Sequence, residues 1–581
     1  MIDRWIVDDE PSPTYPLYTR GNIGEVYPLP VTPLTWTFGA IPASEQGWRD
    51  ALERFGAFTR DEFSDDRIEI LGCFGGYGYL NVSVSRLLGV RTPGLTPEQI
   101  DYSFWGEMPG VPPYQAKPGD ENRERTAAIQ TTLQWILTVD DLPELRDDAA
   151  LMAQLRAARP DFASLEDRQL FDYSRDRVPE LRRLFANHLF ITYCATVPVG
   201  IIQSVCRELG DPSMAMRLVA GIGDVDSAAP STALWAMGRR VAASESLGAA
   251  FEAGVDGLCD RLRETASSGG VEAVDAAAFL ADLDRFLYDY GSRGPNEWET
   301  SAPSWETCPE LALAAIERMR LGGDNDDPAR HRAALAADRE ALGPEMAAKL
   351  GSDQEAHDQF QAALGAARLF LAGRERTKTT VIRLVNEMRM ANNHLGHRLV
   401  ERSLLDRAED LSMLRAEEVD RFLDDPSAFG DIIRARAADY ATLFDLEPPF
   451  VVDGTVPPLA TWARRDRAVA GTVAGEKLEG IPGCPGQASG RARVILDPLD
   501  PSALEPGDVL IAPITDPAWT PLFVTAAAVV VDVGAQISHA VIVSRELGIP
   551  CVVSVTDATR RIPDGATVTV DGTAGTVTVD S

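Results

Sequence analysis

The chain has 581 residues, 45% of them hydrophobic, which is too long for one ordinary core and predicts about two to four packed domains. Its formal charge of −33, from 88 acidic against 55 basic residues, argues against nucleic acid and anionic membranes as partners, because both need a basic footprint. The seven cysteines stand singly, and neither a signal peptide nor a run of about 20 uncharged apolar residues is apparent, so we expect a cytoplasmic protein without disulfides, zinc or a membrane span.

The N-terminal part of the chain, about residues 1–120, mixes turns with short apolar runs. Within it, residues 68–81 predict two strands around a Gly-Gly pair. From about residue 130 to residue 446 the pattern changes to helical periods rich in Ala, Leu, Arg and Glu. Residues 1–463 are therefore predicted to form one mainly α-helical body with a mixed α/β beginning.

A short polar segment separates this body from a domain of a different type. Residues 464–480 are small and polar without periodicity, which predicts a hinge linker. Residues 481–581 predict a β/α domain with the order strand, strand, helix, strand, helix, strand and a final hairpin. The segments are RARVIL, DVLIAPI, PLFVTAAA, AVVVDV, SHAVIVSREL, PCVVSV and ATVTVDGTAGTVTV.

One histidine of this domain, His539, is predicted in the first turn of a helix. The apolar run 526–533 predicts a buried strand, Gly534 begins a break, and Ser538 can cap the helix that comes next. Unpaired N–H groups and the helix dipole there favour an anion and disfavour ring protonation. A neutral imidazole is the nucleophilic form, so the placement suits a histidine that carries a phosphoryl group. The alternative is a histidine that only caps or packs at a helix end.

The surroundings of His539 form a longer motif. Its members are Pro485, Gly486, Gly490, Asp516, Pro517, Trp519, Gly534, Ser538, Ala540, Ile542, Arg545, Glu546, Leu547, Gly548, Ile549 and Pro550. These residues make the chain from about residue 479 onward resemble the mobile phosphohistidine domain of the phosphoenolpyruvate-utilising enzymes. That family includes pyruvate phosphate dikinase, rifampin phosphotransferase and phenylphosphate synthase. The resemblance implies that His539 carries phosphoryl, with Gly534 and Ser538 forming the start of its helix, although Ala535 replaces the usual second Gly.

The N-terminal two-thirds resembles, more weakly, the substrate-binding domain of rifampin phosphotransferase and its relatives. The matching pieces are Asn22, Glu25, PLTW (33–36), GYGYLN (76–81), YGSRGPNEWE (290–299), Trp305, Glu306, Pro309, RERTK (374–378) and residues 395–405. In RERTK, Arg374 and Lys378 are spaced i, i+4, so both cations lie on one helical face and can neutralise a phosphoryl group in transfer. The family uses an Arg and a Lys at these positions. The alternative is a solvated basic face that pairs with acidic neighbours.

The segment YGSRGPNEWE offers a second phosphate clamp and a base. Arg293 is the candidate clamp, and Glu297 or Glu299 the candidate base for the acceptor hydroxyl. The alternative is a rigid turn tied by an Arg–Glu pair. Relatives commonly carry His where this chain has Ser292, which puts the acceptor or the mechanism in doubt.

Aromatic residues in or near the matched segments suggest the class of acceptor. Trp36, Tyr79 and Trp298 are candidate contacts for an aromatic or polyketide-like alcohol, with core packing as the alternative for each one. His188, close in sequence to Phe185, is interpreted as a satisfied core or pocket-wall residue.

No segment of the sequence accounts for the charging of the histidine. We find no GxxxxGK[ST] loop and no match to an ATP-grasp domain. The phenylphosphate synthase arrangement therefore predicts a subunit of a two-component phosphotransferase, in which an ATP-grasp-type partner binds ATP and Mg²⁺. The phosphoryl acceptor is then a phenol or a natural-product alcohol. Two alternatives stay open: a non-catalytic phosphocarrier or regulatory protein, and a phosphotransferase charged by phosphoenolpyruvate through a partner.

Overall fold

The computed structural model describes residues 2–105, 110–222, 229–322, 327–351, 353–467, 469–497, 504–516, 519–535 and 538–580. Pro517 of the predicted motif lies outside the described residues. Helices make up most of the chain before residue 445, strands occur near the N-terminus, and a large sheet fills the C-terminal part, so the predicted fold class is confirmed.

The described helices lie mainly in the first three quarters of the chain. They are α1 Ile23–Val26, α2 Gln46–Phe55, α3 Val82–Arg91, α4 Pro97–Trp105, α5 Arg123–Thr138, α6 Pro143–Ala157, α7 Asp167–Arg175, α8 Val178–Glu208, α9 Met214–Leu218, α10 Ala229–Ala243, α11 Glu245–Glu252, α12 Leu258–Ser268, α13 Val271–Tyr290, α14 Glu310–Leu321, α15 Pro328–Lys349, α16 Gln354–Glu401, α17 Val419–Asp424, α18 Gly430–Leu443, α19 Thr520–Phe523, α20 His539–Leu547 and α21 Ala558–Arg561. A π-helical stretch, Thr35–Glu45, begins at the third residue of the PLTW segment.

The described strands are short. They are β1 Leu17–Thr19, β2 Leu71–Phe74, β3 Tyr77–Asn81, β4 Leu446–Glu447, β5 Val451–Asp453, β6 Ala463–Arg464, β7 Lys477–Glu479, β8 Ile481–Cys484, β9 Gln487–Val494, β10 Val509–Ala512, β11 Ala528–Val531, β12 Cys551–Val553, β13 Thr567–Asp571 and β14 Thr576–Val579. They form an antiparallel four-stranded sheet in the order β2-β3-β1-β5, an eight-stranded sheet and a β4–β6 pair.

The chain separates into two compact units. Unit 1 comprises Met1–Val205, Trp298–Ser301 and Asp353–Ala468, and unit 2 comprises Cys206–Glu297, Ala302–Ser352 and Val469–Ser581. The units divide the chain differently from the predicted domains, because part of the predicted helical body belongs with the C-terminal sheet. The predicted boundaries at 463 and 481 stay a prediction.

Unit 1 is built around the 48-residue helix α16, which contacts α5, α6 and α7. Its four-stranded sheet contains the predicted pair of strands, β2 and β3. Gly75 and Gly76 join them with φ of 57° and 81°, the two positive values that a tight hairpin turn requires and that glycine adopts without strain. The prediction of two strands around this Gly-Gly pair is confirmed.

One helical stretch departs from the expectation of no long apolar run. Asp167–Glu208 is long and apolar enough to cross a membrane by length and composition alone. Its residues Phe185, Ile191 and Cys194 are nevertheless buried in the core of unit 1. Because the core helix of a globular unit meets the same criterion, the stretch is weak support for a membrane span.

The eight-stranded sheet of unit 2 has the order β7-β14-β13-β9-β10-β11-β12-β8. Its centre is parallel from β9 to β12, and the outer pairs are antiparallel. Side chains of β10 alternate between two cores, with Leu510 in one and Ile511 in the other. Both faces of the parallel centre are thus covered, which accounts for the nearly continuous apolar sequence of these strands.

Helices from the middle of the chain cover one of these faces. Leu234 on α10 and Met319 on α14 share a buried core with Leu522, Phe523 and Val543 of the C-terminal part. The periodicity of α10 and α14 predicts that they are buried, but it does not say against which partner. This packing places them in unit 2.

The closest backbone approach in unit 2 gives a test of its packing. A Cβ added to Gly572 would lie 1.9 Å from the carbonyl oxygen of Cys484 and 2.8 Å from the amide nitrogen of Cys551. Gly572→Ala is expected to cost about 2–3 kcal/mol or more, since backbone atoms cannot move aside cheaply. The control is Gly471→Ala, whose Cβ would meet nothing closer than 3.7 Å. Thermal unfolding and hydrogen exchange of β12 measure the difference, and equal stability of the two variants would contradict this packing.

Candidate functional site

His539 lies at the edge of the sheet where the parallel strands end. β10 ends at Ala512 and β11 at Val531, and the pairing continues for two further backbone bonds, of which the first joins the Asp532 amide to the Ala512 carbonyl at 3.0 Å. Carboxyl ends of parallel strands share one edge, so the segment after β10 and the segment after β11 meet there. This edge brings Thr515 beside His539.

Both ring nitrogens of His539 have a hydroxyl partner. Nδ1 lies 3.1 Å from Oγ1 of Thr515, and Nε2 lies 3.3 Å from Oγ1 of Thr520. The edge of the ring meets Phe523 at a centroid distance of 5.8 Å and an interplanar angle of 84°. Both threonines are buried, at 2% and 6% exposure, whereas His539 is half-buried. The ring is therefore oriented by buried hydroxyl groups, and His539 as a residue keeps some exposure to solvent.

The start of α20 has the predicted form. Ser538 is the N-cap residue, and its Oγ accepts a hydrogen bond from the amide of Val541 at 3.3 Å. A side chain at Gly534 would bring its Cβ within 2.9 Å of Cβ of Val553, so the turn approaches β12 more closely than a larger residue allows. The prediction that His539 opens a helix is confirmed; its chemical role stays a prediction.

The arrangement around the imidazole suits nucleophilic chemistry. A neutral ring has one N–H and one lone pair, and each threonine hydroxyl can accept from the first or donate to the second. A phosphoryl group on either nitrogen would replace the hydroxyl at that nitrogen, while the other threonine would keep the ring oriented. Neither threonine is predicted as a site residue by the sequence pattern, although the two flank the motif residues Asp516 and Trp519.

Arg293 and Glu297 form a buried ion pair in unit 2. Nη1 of Arg293 lies 3.0 Å from both carboxylate oxygens, and the two side chains are 4% and 2% exposed. The rigid turn that sequence analysis gave as the alternative is thus present. Asn296, within this turn, joins it to the segment after β10, because the amide of Asn296 donates to Oδ2 of Asp516 at 2.8 Å.

A small cleft, open in part to solvent, lies between this turn and the helix that carries Thr520. Arg293, Ser231 and Trp305 line it together with Thr520, whose hydroxyl contacts Nε2 of His539. Unit 2 therefore brings three predicted site residues, His539, Arg293 and Glu297, into one neighbourhood. The structure leaves the clamp and base roles of the last two as predictions.

Arg374 and Lys378 lie on one face of α16 in unit 1, as their spacing predicts. Nη1 of Arg374 pairs with Oε1 of Glu375 at 2.5 Å, and the Arg374 side chain is 16% exposed. Lys378 is half-buried. The cation of Arg374 thus has an acidic neighbour on its own helix, and both cations keep some access to solvent.

Glu299, the second candidate base, is a structural anchor of unit 1. Its carboxylate accepts hydrogen bonds from the amide and hydroxyl of Thr32, from the hydroxyl of Thr35, and from the amide and hydroxyl of Ser301. It is 2% exposed. Oε1 accepts four of these five hydrogen bonds and Oε2 the fifth, so the geometry favours a role in holding the PLTW segment.

The three aromatic candidates differ in their surroundings. Trp36 and Tyr79 are buried in unit 1, and their polar atoms are satisfied, by Oδ2 of Asp9 at 3.1 Å and by the carbonyl of Pro449 at 2.7 Å. Trp298 packs against Phe185. Core packing accounts for Trp36 and Tyr79, and substrate contact by any of the three stays a prediction.

Two parts of the chain match family models. Residues 504–575 match the mobile domain of PEP-utilising enzymes, and residues 188–375 match the fourth domain of rifampicin phosphotransferase. Both matches support the interpretation of this chain as a member of the PEP-utilising enzyme family. The mobile-domain match contains β10–β13 and His539, and the other match contains His188 and Arg374.

Individual relatives agree with these models. The chain is 26% identical to an uncharacterised protein of Mycobacterium tuberculosis over 98% of its own length and 62% of the relative's. It is 32% identical to rifampicin phosphotransferase of Streptomyces sviceus over 57% of its length, and 31% identical to the prodigiosin synthesizing transferase PigC of Serratia marcescens over 52%. It spans 37% and 34% of those two proteins.

A carboxyl group directly after β11, in contact with Thr559 of α21, gives a pH-dependent prediction. Burial raises the pKa of Asp532 to about 7, against hydrogen bonds from Thr559 that lower it. In the unfolded chain this carboxyl titrates near 3.8, so the folded state keeps a proton that the unfolded state loses, and stability falls as pH rises from about 4 to 7. Asp532→Asn is expected to match wild type near pH 4 and to exceed it increasingly toward pH 7.

Chemical unfolding across this pH range measures the effect. The control is Asp564→Asn, whose side chain is 54% exposed and which should follow wild type. A constant difference between Asp532→Asn and wild type at all pH values would contradict the assignment of a buried, protonated carboxyl.

Proposed function

We propose that the chain is the carrier and acceptor-binding component of an ATP-dependent, dikinase-like phosphotransferase. His539 takes up a phosphoryl group and passes it to a hydroxyl of a small organic acceptor. The observation that carries the proposal is the half-buried residue His539, whose imidazole is held at both nitrogens at a helix start, within residues that match the mobile domain. Relatives named as phosphotransferase or transferase support the same class of reaction.

The transfer step exchanges one bond to phosphorus for another. The N–P bond to His539 breaks and leaves its electron pair on the ring, an O–P bond forms to the acceptor, and the hydroxyl proton leaves the oxygen. Little covalent chemistry remains for the protein, so positioning and charge neutralisation dominate the rate. We assign the neutralisation to Arg374 and Lys378, with Arg293 as a second clamp on the carrier side.

The acceptor is proposed to be a phenol or a natural-product alcohol. The named relatives are a rifampicin phosphotransferase and a prodigiosin synthesizing transferase. Thr377, in the same helix as Arg374, contacts His188. The ring of His188 lies near those of Phe185 and Trp298. A strongly acidic chain, at −33, repels anionic substrates over most of its surface, so local cations must hold the phosphoryl group.

The charging step is proposed to occur on a separate ATP-grasp-type polypeptide that binds ATP and Mg²⁺. The two components would meet in the cytoplasm, with residues 464–480 as the hinge on which the carrier moves. Charging by phosphoenolpyruvate through a partner, and a carrier without acceptor chemistry, are the competing functions. Ser292 favours the carrier without acceptor chemistry, and the retained Arg374–Lys378 pair argues against it.

Phosphoryl labelling tests the carrier assignment. Wild-type chain is incubated with an ATP-grasp partner, Mg²⁺ and ATP labelled in its β and γ positions, and acid-labile, base-stable label is measured. His539→Ala is expected to abolish the label, because the nucleophile is gone, and His331→Ala, a half-buried histidine of α15, should retain it. Equal label on His539→Ala would contradict the assignment, and label from phosphoenolpyruvate but not ATP would support the competing donor.

Two charge-removing variants test the face of α16 that carries Arg374 and Lys378, called here the acceptor face. Arg374→Gln and Lys378→Gln are expected to be charged like wild type but to transfer phosphoryl about 10²- to 10³-fold more slowly, because each removes a group that stabilises the transition state. Arg368→Gln changes an exposed arginine of the same helix and serves as the control. Single-turnover transfer from the isolated phosphoenzyme measures the rates, and unchanged rates in both variants would place the acceptor elsewhere.

A further inference from the structure

A second histidine, His188 on α8, lies beside the acceptor face of unit 1. It is 8% exposed. Its ring centroid is 6.4 Å from those of Phe185 and Trp298. Its Nδ1 lies 3.1 Å from Oγ1 of Thr377, between Arg374 and Lys378 in sequence. An imidazole, two aromatic rings and two cations therefore meet in one part of unit 1.

The hydrogen bonds of Thr377 fix the tautomer of this imidazole. The Thr377 hydroxyl donates to the carbonyl of Arg374 at 2.9 Å. A hydroxyl has a single proton, so toward His188 the same oxygen acts as an acceptor. With the Thr377 proton placed on that carbonyl, Nδ1 of His188 is the N–H donor.

The charge state follows from burial. Burial, followed by the positive charges of Arg374 and Lys378, lowers the pKa of His188 to about 3, and the carboxylate of Glu375 opposes this shift. The ring is therefore neutral at physiological pH. A neutral ring with its proton on Nδ1 has its lone pair on Nε2.

This cluster has the chemistry that an acceptor hydroxyl needs. The lone pair of Nε2 can accept the hydroxyl proton, the rings of Phe185 and Trp298 suit an aromatic or apolar acceptor skeleton, and the cations suit the incoming phosphoryl group. We propose that His188, oriented by Thr377, binds the acceptor hydroxyl through Nε2 and takes its proton during transfer. The role rests on the proposed function, and it gives this chain a base although Ser292 replaces the family's histidine.

The cations explain how a weakly basic imidazole can act at the right moment. Arg374 and Lys378 repel a proton on His188 while no phosphate is bound. A phosphoryl group between them neutralises their charge, so the basicity of His188 rises as the group arrives. The proton then moves from the acceptor oxygen to Nε2 as the O–P bond forms and the N–P bond breaks, and the imidazolium later releases it to solvent.

Imidazole ¹⁵N spectra of the full chain test the geometry without any acceptor. His188 signals, assigned by their loss in His188→Asn, should show a neutral ring protonated on Nδ1 at pH 7. Arg374→Gln, or inorganic phosphate as the anion probe, should raise the pH at which the ring protonates. Protonation on Nε2, or a charged ring at pH 7, would overturn the proposal.

Transfer kinetics test the role itself. Phosphoenzyme is isolated and offered phenol or rifampicin as probe acceptors. His188→Asn should be charged on His539 like wild type and transfer at least about 100-fold more slowly. His188→Gln keeps a hydrogen-bond acceptor near the Nε2 position, so its KM should stay close to that of wild type while its kcat falls. The control is His357→Asn, a histidine of α16 that is 39% exposed, and it should behave like wild type.

The outcomes separate the two proposals. If wild type is charged and transfers phosphoryl, and His188→Asn transfers it equally fast, the role of His188 is overturned and the proposed function stays intact. Wild type that is not charged on His539, or transfers to neither probe, overturns the proposed function and this role with it, even where the ¹⁵N spectra show the expected tautomer.

Discussion

The site in unit 2 depends on one constraint, the parallel register of β10 and β11, which orients the imidazole of His539 at the edge of the sheet. Thr515 follows β10, and His539 follows β11, so the parallel register of these strands sets the Nδ1 contact at 3.1 Å. Thr520, on the short helix between the strands, sets the other contact. Both sheet faces are buried, so the strands cannot shift without disturbing two cores.

The candidate phosphate-binding arginines are each paired with a nearby carboxylate, although the protein as a whole is strongly acidic. Arg293 is paired with Glu297 in unit 2, and Arg374 with Glu375 in unit 1. In each pair the carboxylate compensates part of the cost of desolvating the cation, and an arriving phosphoryl group then competes with that carboxylate. In the proposed reaction these local pairs, rather than the net charge, determine where a phosphate can bind.

The sequence predicted the features that depend on local chemistry. Ser538 as a cap, His539 at a helix start and the turn at Gly75 and Gly76 follow from residue types over a few positions. The contacts of His539 with Thr515 and Thr520 depend on segments that follow different strands, and the tautomer of His188 depends on the hydroxyl direction of Thr377 on another helix. Neither has a signal in the spacing of residues along the chain. The same reason explains why the packing of α10 and α14 on the sheet was not predicted.

The central claim is that phosphoryl passes through His539 to the acceptor. The most direct measurement is a chase of isolated phosphoenzyme, freed of nucleotide and of the charging partner, with an acceptor such as phenol. The account predicts that label leaves His539 and appears in the phosphorylated acceptor at the same rate. Product that forms only while nucleotide is present, with the label on His539 unchanged, would contradict it.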